Sequence, residues 1–326
     1  MPSTSSFLAD LQNGLPELQA LENMIEGLAF SHTLPVRPLI NHVLASKGKR
    51  VRPLLVILSS SLYISDKAAV IDVASAAELI HLASIVHDDV VDSGEIRRGR
   101  PTLNSCHGNN VAVLIGDILF AHALELLDKH AHFGVLKVMS KAISLMCEGE
   151  LEQFSSSFDL AKTEAEYLEQ VRKKTGALMG ACCEAGARLS EMPEEEIMCL
   201  RAYGEQIGCA FQIIDDIFDF TSEPEELGKS VGLDVNFGII TLPLIYLLQD
   251  SVHRPLIGQL FSSGLPDTSA IRQIQNLVIN EGYTDLAFSR AKAIVKKAKA
   301  HLEPLPDGCT KELLQEMAEH VLTRKK

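Results

Sequence analysis

Residues 67–92 read KAAVIDVASAAELIHLASIVHDDVVD, and this stretch decides the fold. No Gly or Pro interrupts Lys67 to Val91, and the Ala, Ile, Leu and Val residues fall on most faces of a helix. A helix that is apolar nearly all round belongs at the centre of a bundle. It ends on Asp88-Asp89-Val90-Val91-Asp92, where Asp88 and Asp92 lie at i,i+4 and project from one face. The same D-D-x-x-D pattern returns as Asp215-Asp216-Ile217-Phe218-Asp219, again at the end of a long apolar pattern, Glu194–Phe220.

Working outward, helical periodicity covers Asn110–Lys129, Gly134–Phe154, Ala165–Leu189, Thr241–Gln249, Ala270–Asn280 and Tyr283–Leu302. A last helix falls near Thr310–Leu322. Breakers separate these segments at Ser93 to Pro101, Met192-Pro193, Glu223-Pro224, Gly264 to Pro266 and Pro304 to Gly308. Alternating strand patterns are almost absent. The pattern predicts an all-α protein of ten or more helices, one domain over residues 1–326.

A chain of 326 residues with 46% hydrophobic content buries a substantial core, which excludes disorder. Its 43 acidic against 30 basic residues, a net charge of −13, argue against a nucleic-acid partner. Seven Cys stand at 106, 147, 182, 183, 199, 209 and 309, with no C-x-x-C among them. Neither a disulfide framework nor a zinc site is expected, and most should be small buried hydrophobes in a reducing cytosol. Met1 to Asp10 lacks the basic and apolar regions of a signal peptide. No uncharged apolar run reaches the roughly 18 residues of a membrane span. The longest, Gly238–Leu248, carries Pro243. A soluble cytoplasmic protein, with no transmembrane segment, is the expectation.

Carboxylates clustered at helix C-termini are disfavoured by the helix dipole and by each other. A hard divalent cation removes that penalty, and oxygen-only ligands point to Mg²⁺ rather than zinc. Mg²⁺ held by few carboxylates keeps positions open for substrate phosphates. Matching cations are present in Gly48-Lys49-Arg50-Val51-Arg52-Pro53, Arg97-Arg98-Gly99-Arg100-Pro101-Thr102, Lys173-Lys174-Thr175-Gly176 and Gly228-Lys229. A solvated helix end or a surface basic cluster would explain any one of these alone. Two acidic motifs interleaved with four basic clusters point instead to a site for two diphosphates.

The motifs occur in one order: Gly48–Pro53; His81 with His87–Asp92; Arg97–Thr102; Gly149-Glu150 with Gln153; Lys174–Leu178; Phe211–Asp216; then Gly228-Lys229 through Thr241–Leu244. Together they resemble the trans-isoprenyl diphosphate synthases, most closely the long-chain members. The resemblance implies an isoprenoid synthase fold, a helical bundle around a central cavity. It also implies head-to-tail condensation of isopentenyl diphosphate with an allylic diphosphate, in a homodimer. Asp88, Asp89, Asp92, Asp215, Asp216 and Asp219 would hold about three Mg²⁺ on the allylic diphosphate. Arg97, Lys174, Thr175, Gln212 and Lys229 match positions that contact that diphosphate. Lys49, Arg52, His81 and Arg98 match the isopentenyl diphosphate site, although a histidine satisfied within its own helix is the plain alternative for His81.

Metal and cations would stabilise the departing diphosphate, and the double bond of isopentenyl diphosphate would attack the allylic cation. No side chain stands out as base, so the released diphosphate is expected to take the proton. Two departures from the family pattern stand out: Ile239 where the family often has Lys, and Lys47 in place of a Gly. A terpene cyclase would lack the second D-D-x-x-D and the isopentenyl site, and a His-Asp phosphohydrolase would leave that second motif unused. A short-chain synthase, or a subunit of a heteromeric synthase, remains the alternative within the family.

Ala83 and Ser84 lie about one turn before Asp88, on the face beneath the diphosphates. Short-chain synthases that resemble this chain carry bulky aromatics there; here both residues are small. Ile80, Leu126, Leu127 and Met139 are deeper candidates for a floor, with ordinary core packing as the alternative for each. The resemblance and the small pair predict a product longer than geranylgeranyl diphosphate, a quinone side-chain precursor that leaves through transient membrane contact. Replacing Ala83 by Phe should shorten the product, read by chromatographic sizing. Unchanged chain length would remove this argument.

Overall fold

A computed structural model describes residues 11, 14–45, 48–221, 233–262 and 268–323. Helices α1 (Pro16–Phe30), α2 (Val36–Leu44) and α3 (Val51–Ser60) precede the central α4 (Lys67–Val91). A short hairpin, β1 (Ile96–Arg97) and β2 (Arg100–Pro101), leads into α5 (Leu103–His107), α6 (Asn109–Asp128) and α7 (Val135–Ser155). Then follow α8 (Glu164–Val171), α9 (Ala177–Leu189), α10 (Glu194–Thr221) and α11 (Leu233–Asn236). The chain closes with α12 (Leu242–Gln249), α13 (Arg254–Ser262), α14 (Thr268–Asn280), α15 (Tyr283–His301) and α16 (Cys309–Thr323).

Local chemistry explains where the site-bearing helices begin. The Asp66 carboxylate accepts from the Ala68 amide at 3.0 Å and starts α4. Thr163 and Glu166 form a capping box that starts α8. The Arg98-Gly99 turn of the hairpin has φ of 50° and 72°, the left-handed pair that a two-residue turn between twisted strands requires.

Packing runs in an unbroken line from α6 through α4, α3, α9 and α10 to α15. Along α4, Val73, Ala74, Ala76, Ala77, Ile80 and Ala83 are wholly buried, as the all-round apolar pattern requires. Each fully buried Val or Ile contributes roughly 1.5–3 kcal/mol. α4 and α6 are both long and apolar enough to cross a membrane by composition; α4 lies mostly inside the bundle, whereas α6 leaves Leu114 62% exposed.

Two expectations need correction. Ala165–Leu189 is not one continuous α-helix, because Arg172–Gly176 forms a π-helical turn between α8 and α9. Gly149 and Gly208 press on that turn from both sides. A Cβ at Gly149 would lie 2.7 Å from the Lys174 nitrogen, and one at Gly208 would lie 2.6 Å from the Gly176 Cα. The cysteines are the second correction: Cys182, Cys183 and Cys209 are buried, but Cys106, Cys147 and Cys309 are exposed. Cys182 and Cys183 lie on α9, whose residues are nearly all buried, whereas the exposed three lie on α5, α7 and α16, which keep a solvent face.

Gly208→Ala should therefore destabilise the protein by about 1–3 kcal/mol through overpacking, read from urea unfolding. Wild-type stability in that variant would contradict the close approach.

Candidate active site

The first acidic motif sits where α4 stops, with Asp92 closing the helix. Asp89 is buried and accepts from Arg97 Nε at 2.7 Å. Asn104 Nδ2 donates to the Asp89 and Gly94 carbonyls, each at 3.1 Å, and Thr102 Oγ1 donates to Gly94 at 2.7 Å. These bonds fix the hairpin to the helix end. Burial raises the Asp88 carboxyl to about 7; Lys174 and Arg97 oppose the shift, and Glu150 and Asp92 add to it.

The second motif ends α10. Asp216 is buried and accepts from the Tyr167 hydroxyl at 2.5 Å and from Gln212 Nε2 at 2.8 Å. Thr175 Oγ1 donates to Gln212 Oε1 at 2.9 Å, which ties the π turn to α10. Burial carries Asp216 to about 7; its two donors pull it down, and Asp215 and Asp219 push it up. A further carboxylate, Asp234 on α11, was not anticipated. Its amide donates to Asp219 Oδ2 at 3.3 Å, and burial followed by Asp219 and Asp216 drives its carboxyl well above the usual range. Asp234 lies in a stretch where helical periodicity carries no signal, and Tyr167 belongs to none of the sequence motifs.

One cavity brings the two helix ends together. Asp92, Asp216 and Asp234 line it, with Lys174 and Gln212 among the other lining residues. Ile239 lines it too, where the family pattern would place a lysine. Lys174 bridges to Glu150 at 2.7 Å and donates to Gln153 Oε1 at 3.2 Å. Burial works against its charge, but Glu150, Asp88 and Asp92 raise its pKa overall. Lys173 instead pairs with Glu152 and with Glu148, and it does not line the cavity.

A cationic recess forms where the Gly48–Pro53 segment meets the hairpin. Arg98 Nη1 packs against Gly48, so close that a Cβ there would lie 3.1 Å away. Burial lowers the pKa of Arg52, with Glu78 and Asp215 among the nearby charges opposing and Arg98 reinforcing the shift. Arg52 Nε is buried with no hydrogen-bond partner among the described residues. His81 is held well below its ordinary pKa by burial, then by Arg52, Arg98, Arg97 and Arg50, which leaves a neutral imidazole. Arg50 points elsewhere, to Glu22 and Glu78, each at 2.5 Å. Lys49 is exposed at the entry to α3. Lys229 and Lys47 lie outside the described residues.

Below the first motif, Ala83 is fully buried, and Ser84 is half-buried with its hydroxyl donating to the His81 carbonyl at 2.9 Å. Ile80, Leu127 and Met139 are fully buried, whereas Leu126 lines a second, apolar cavity of about 420 Å³ with Leu79, Ser75, Met24 and Leu28.

Among the described residues, no three His, Cys, Asp or Glu side chains form a closed metal cage. The donor set nevertheless fits Mg²⁺. Carboxylates from two helix ends line one cavity, and Asp88 and Asp216 are pushed to about 7. A hard cation that keeps water and phosphate oxygens in its shell needs only a few such ligands.

The polyprenyl synthetase family model matches residues 35–278. Heptaprenyl diphosphate synthase component 2 of Geobacillus stearothermophilus is 33% identical over 97% of this chain and 96% of its own. A short chain isoprenyl diphosphate synthase of Methanothermobacter thermautotrophicus is 35% identical over 87% of this chain and 88% of its own. The crystal structure of a polyprenyl synthase from Caulobacter crescentus, complexed with calcium and isoprenyl diphosphate, superimposes with a TM-score of 0.91. It shares 31% identity over 98% of both chains. The chain therefore belongs to the polyprenyl synthetase family, a prenyltransferase with the all-α isoprenoid synthase fold.

Proposed function

We propose that this prenyltransferase condenses isopentenyl diphosphate head-to-tail with an allylic diphosphate and extends it to a long-chain all-trans polyprenyl diphosphate, a quinone side-chain precursor. The carrying observation is the shared cavity that Asp92, Asp216 and Asp234 line together with Lys174. Asp88, Asp89, Asp92, Asp215, Asp216 and Asp219 would hold Mg²⁺, which supplies charge stabilisation to the departing diphosphate. Lys174 and Arg97 add fixed cations at that end, and Thr175 and Gln212 complete the contacts. Arg52, Arg98 and Lys49 orient isopentenyl diphosphate. A neutral His81 donates one ring N–H to it without adding charge. Burial of the reacting end keeps water from the allylic cation.

Product length follows from the wall beneath Asp88. Relatives of both short-chain and heptaprenyl name share about a third of the sequence, so overall similarity does not set it. Ala83 presents no ring, and Leu79 and Ser75 line the apolar cavity, roughly 14–20 Å from Asp88 along α4 at 1.5 Å per residue. A second copy of this chain covers the apolar face of α6, where Val113, Leu114 and Leu124 are exposed, giving a homodimer. A heteromeric enzyme is the second reading, because the Geobacillus relative is named as a component.

With purified chain alone, condensation should require Mg²⁺, stop with chelator, give products beyond geranylgeranyl length and come from a dimer by sedimentation. Asp216→Asn should lower kcat roughly 100-fold or more, as loss of a group that stabilises transition-state charge does. A chain inactive alone would support the heteromeric reading. Full activity in Asp216→Asn would contradict the assigned site.

A further inference from the structure

Lys162 lies between α7 and α8, outside every motif of the sequence, and only 7% of it is exposed. A buried ammonium is costly unless its protons are well used. Its Nζ donates to Gln170 Oε1 and, at 3.3 Å, to Ser156 Oγ. Both partners are neutral. The carboxylates of Asp216, Glu166 and Asp159 act on it only through space.

What Lys162 does for Gln170 is directional. An ammonium has three donors and no acceptor, so it forces the Gln170 carbonyl toward itself. The Gln170 amino group must then face the other way, where it donates to Gln153 Oε1 at 3.0 Å. That same oxygen accepts from Lys174 Nζ at 3.2 Å. A lysine outside the cavity thereby sets two amides in sequence, and the second one holds the cavity's cation.

Lys174 has little backing there. Among the described residues that line the cavity it is the one Lys or Arg, and Ile239 occupies the place where the family pattern carries a lysine.

We propose that Lys162 is a positioning residue for the allylic diphosphate, acting through Gln170 and Gln153 to hold Lys174 in place. This rests on the reading in which Lys174 contacts that diphosphate. Gln170→Glu separates the role from simple support of the fold. Glutamate keeps an acceptor for Lys162 but has no amino group for Gln153.

Steady-state kinetics on the purified chain, each substrate varied against saturating partner, tests the proposal. In Gln170→Glu the KM for the allylic diphosphate should rise about fivefold, the size of one lost hydrogen bond, with no fall in thermal midpoint. Lys162→Met should raise the same KM by a similar factor, and the KM for isopentenyl diphosphate should stay within about twofold in both, as expected when one substrate's contacts alone are lost. An allylic KM unchanged in Gln170→Glu would overturn the proposal, even if Lys162→Met fails to fold. So would equal rises in both KM values. An allylic KM unchanged in Lys174→Met would instead remove the reading on which the role rests, and the role with it.

Discussion

Burial of carboxylates gathered where two helices end, sharpened by their mutual repulsion, is the constraint on which the rest of this structure depends. Asp88 and Asp216 are each pushed to about 7, and Asp234 is driven well above its ordinary range. Burial is the first cause in every case, and neighbouring carboxylates add to it. The helix dipole adds to the cost, since it places partial negative charge where α4 and α10 end. No stable fold gathers these groups for its own sake. Divalent cations sharing the space would offset that cost.

The surrounding elements answer that constraint. Arg97 reaches back from the hairpin to Asp89, and the Asn104 amide anchors the hairpin to the α4 end. On the other side, Tyr167 and Gln212 each donate to Asp216, while Thr175 connects Gln212 to the π turn. That turn is squeezed between Gly149 and Gly208, so the position of Lys174 is set by backbone contact before any side chain acts. π turns inside α-helices are frequent at functional sites for this reason: they aim a side chain that a regular helix would place elsewhere.

Much of this was legible in the residues. The 25-residue run without Gly or Pro specified the central helix to within its observed bounds, Lys67–Val91. The two D-D-x-x-D ends met across one cavity because both close buried helices. Other features had no local signature. A π turn differs from an α turn by one inserted residue, and the phase shift is hidden because α9 is buried on nearly every face. Asp234 depends on tertiary placement of a short irregular segment, and the diversion of Arg50 to Glu22 and Glu78 depends on where α1 packs. The exposed cysteines show the same limit, because composition reports how buried a residue type usually is and not which helix face it occupies.

Beneath Asp88, α4 carries the small residues Ala83 and Ser84, and farther down Leu79 and Ser75 line an apolar cavity. The central claim concerns the upper end: the two acidic helix ends form one site that metal completes only with diphosphate present. Titration of the purified chain with Mn²⁺, followed by electron paramagnetic resonance with and without inorganic diphosphate, tests it most directly. Binding should be weak without diphosphate, tighten with it, and be lost alike in Asp88→Asn and Asp216→Asn. Tight Mn²⁺ binding without diphosphate, or loss in only one of the two variants, would contradict a shared site.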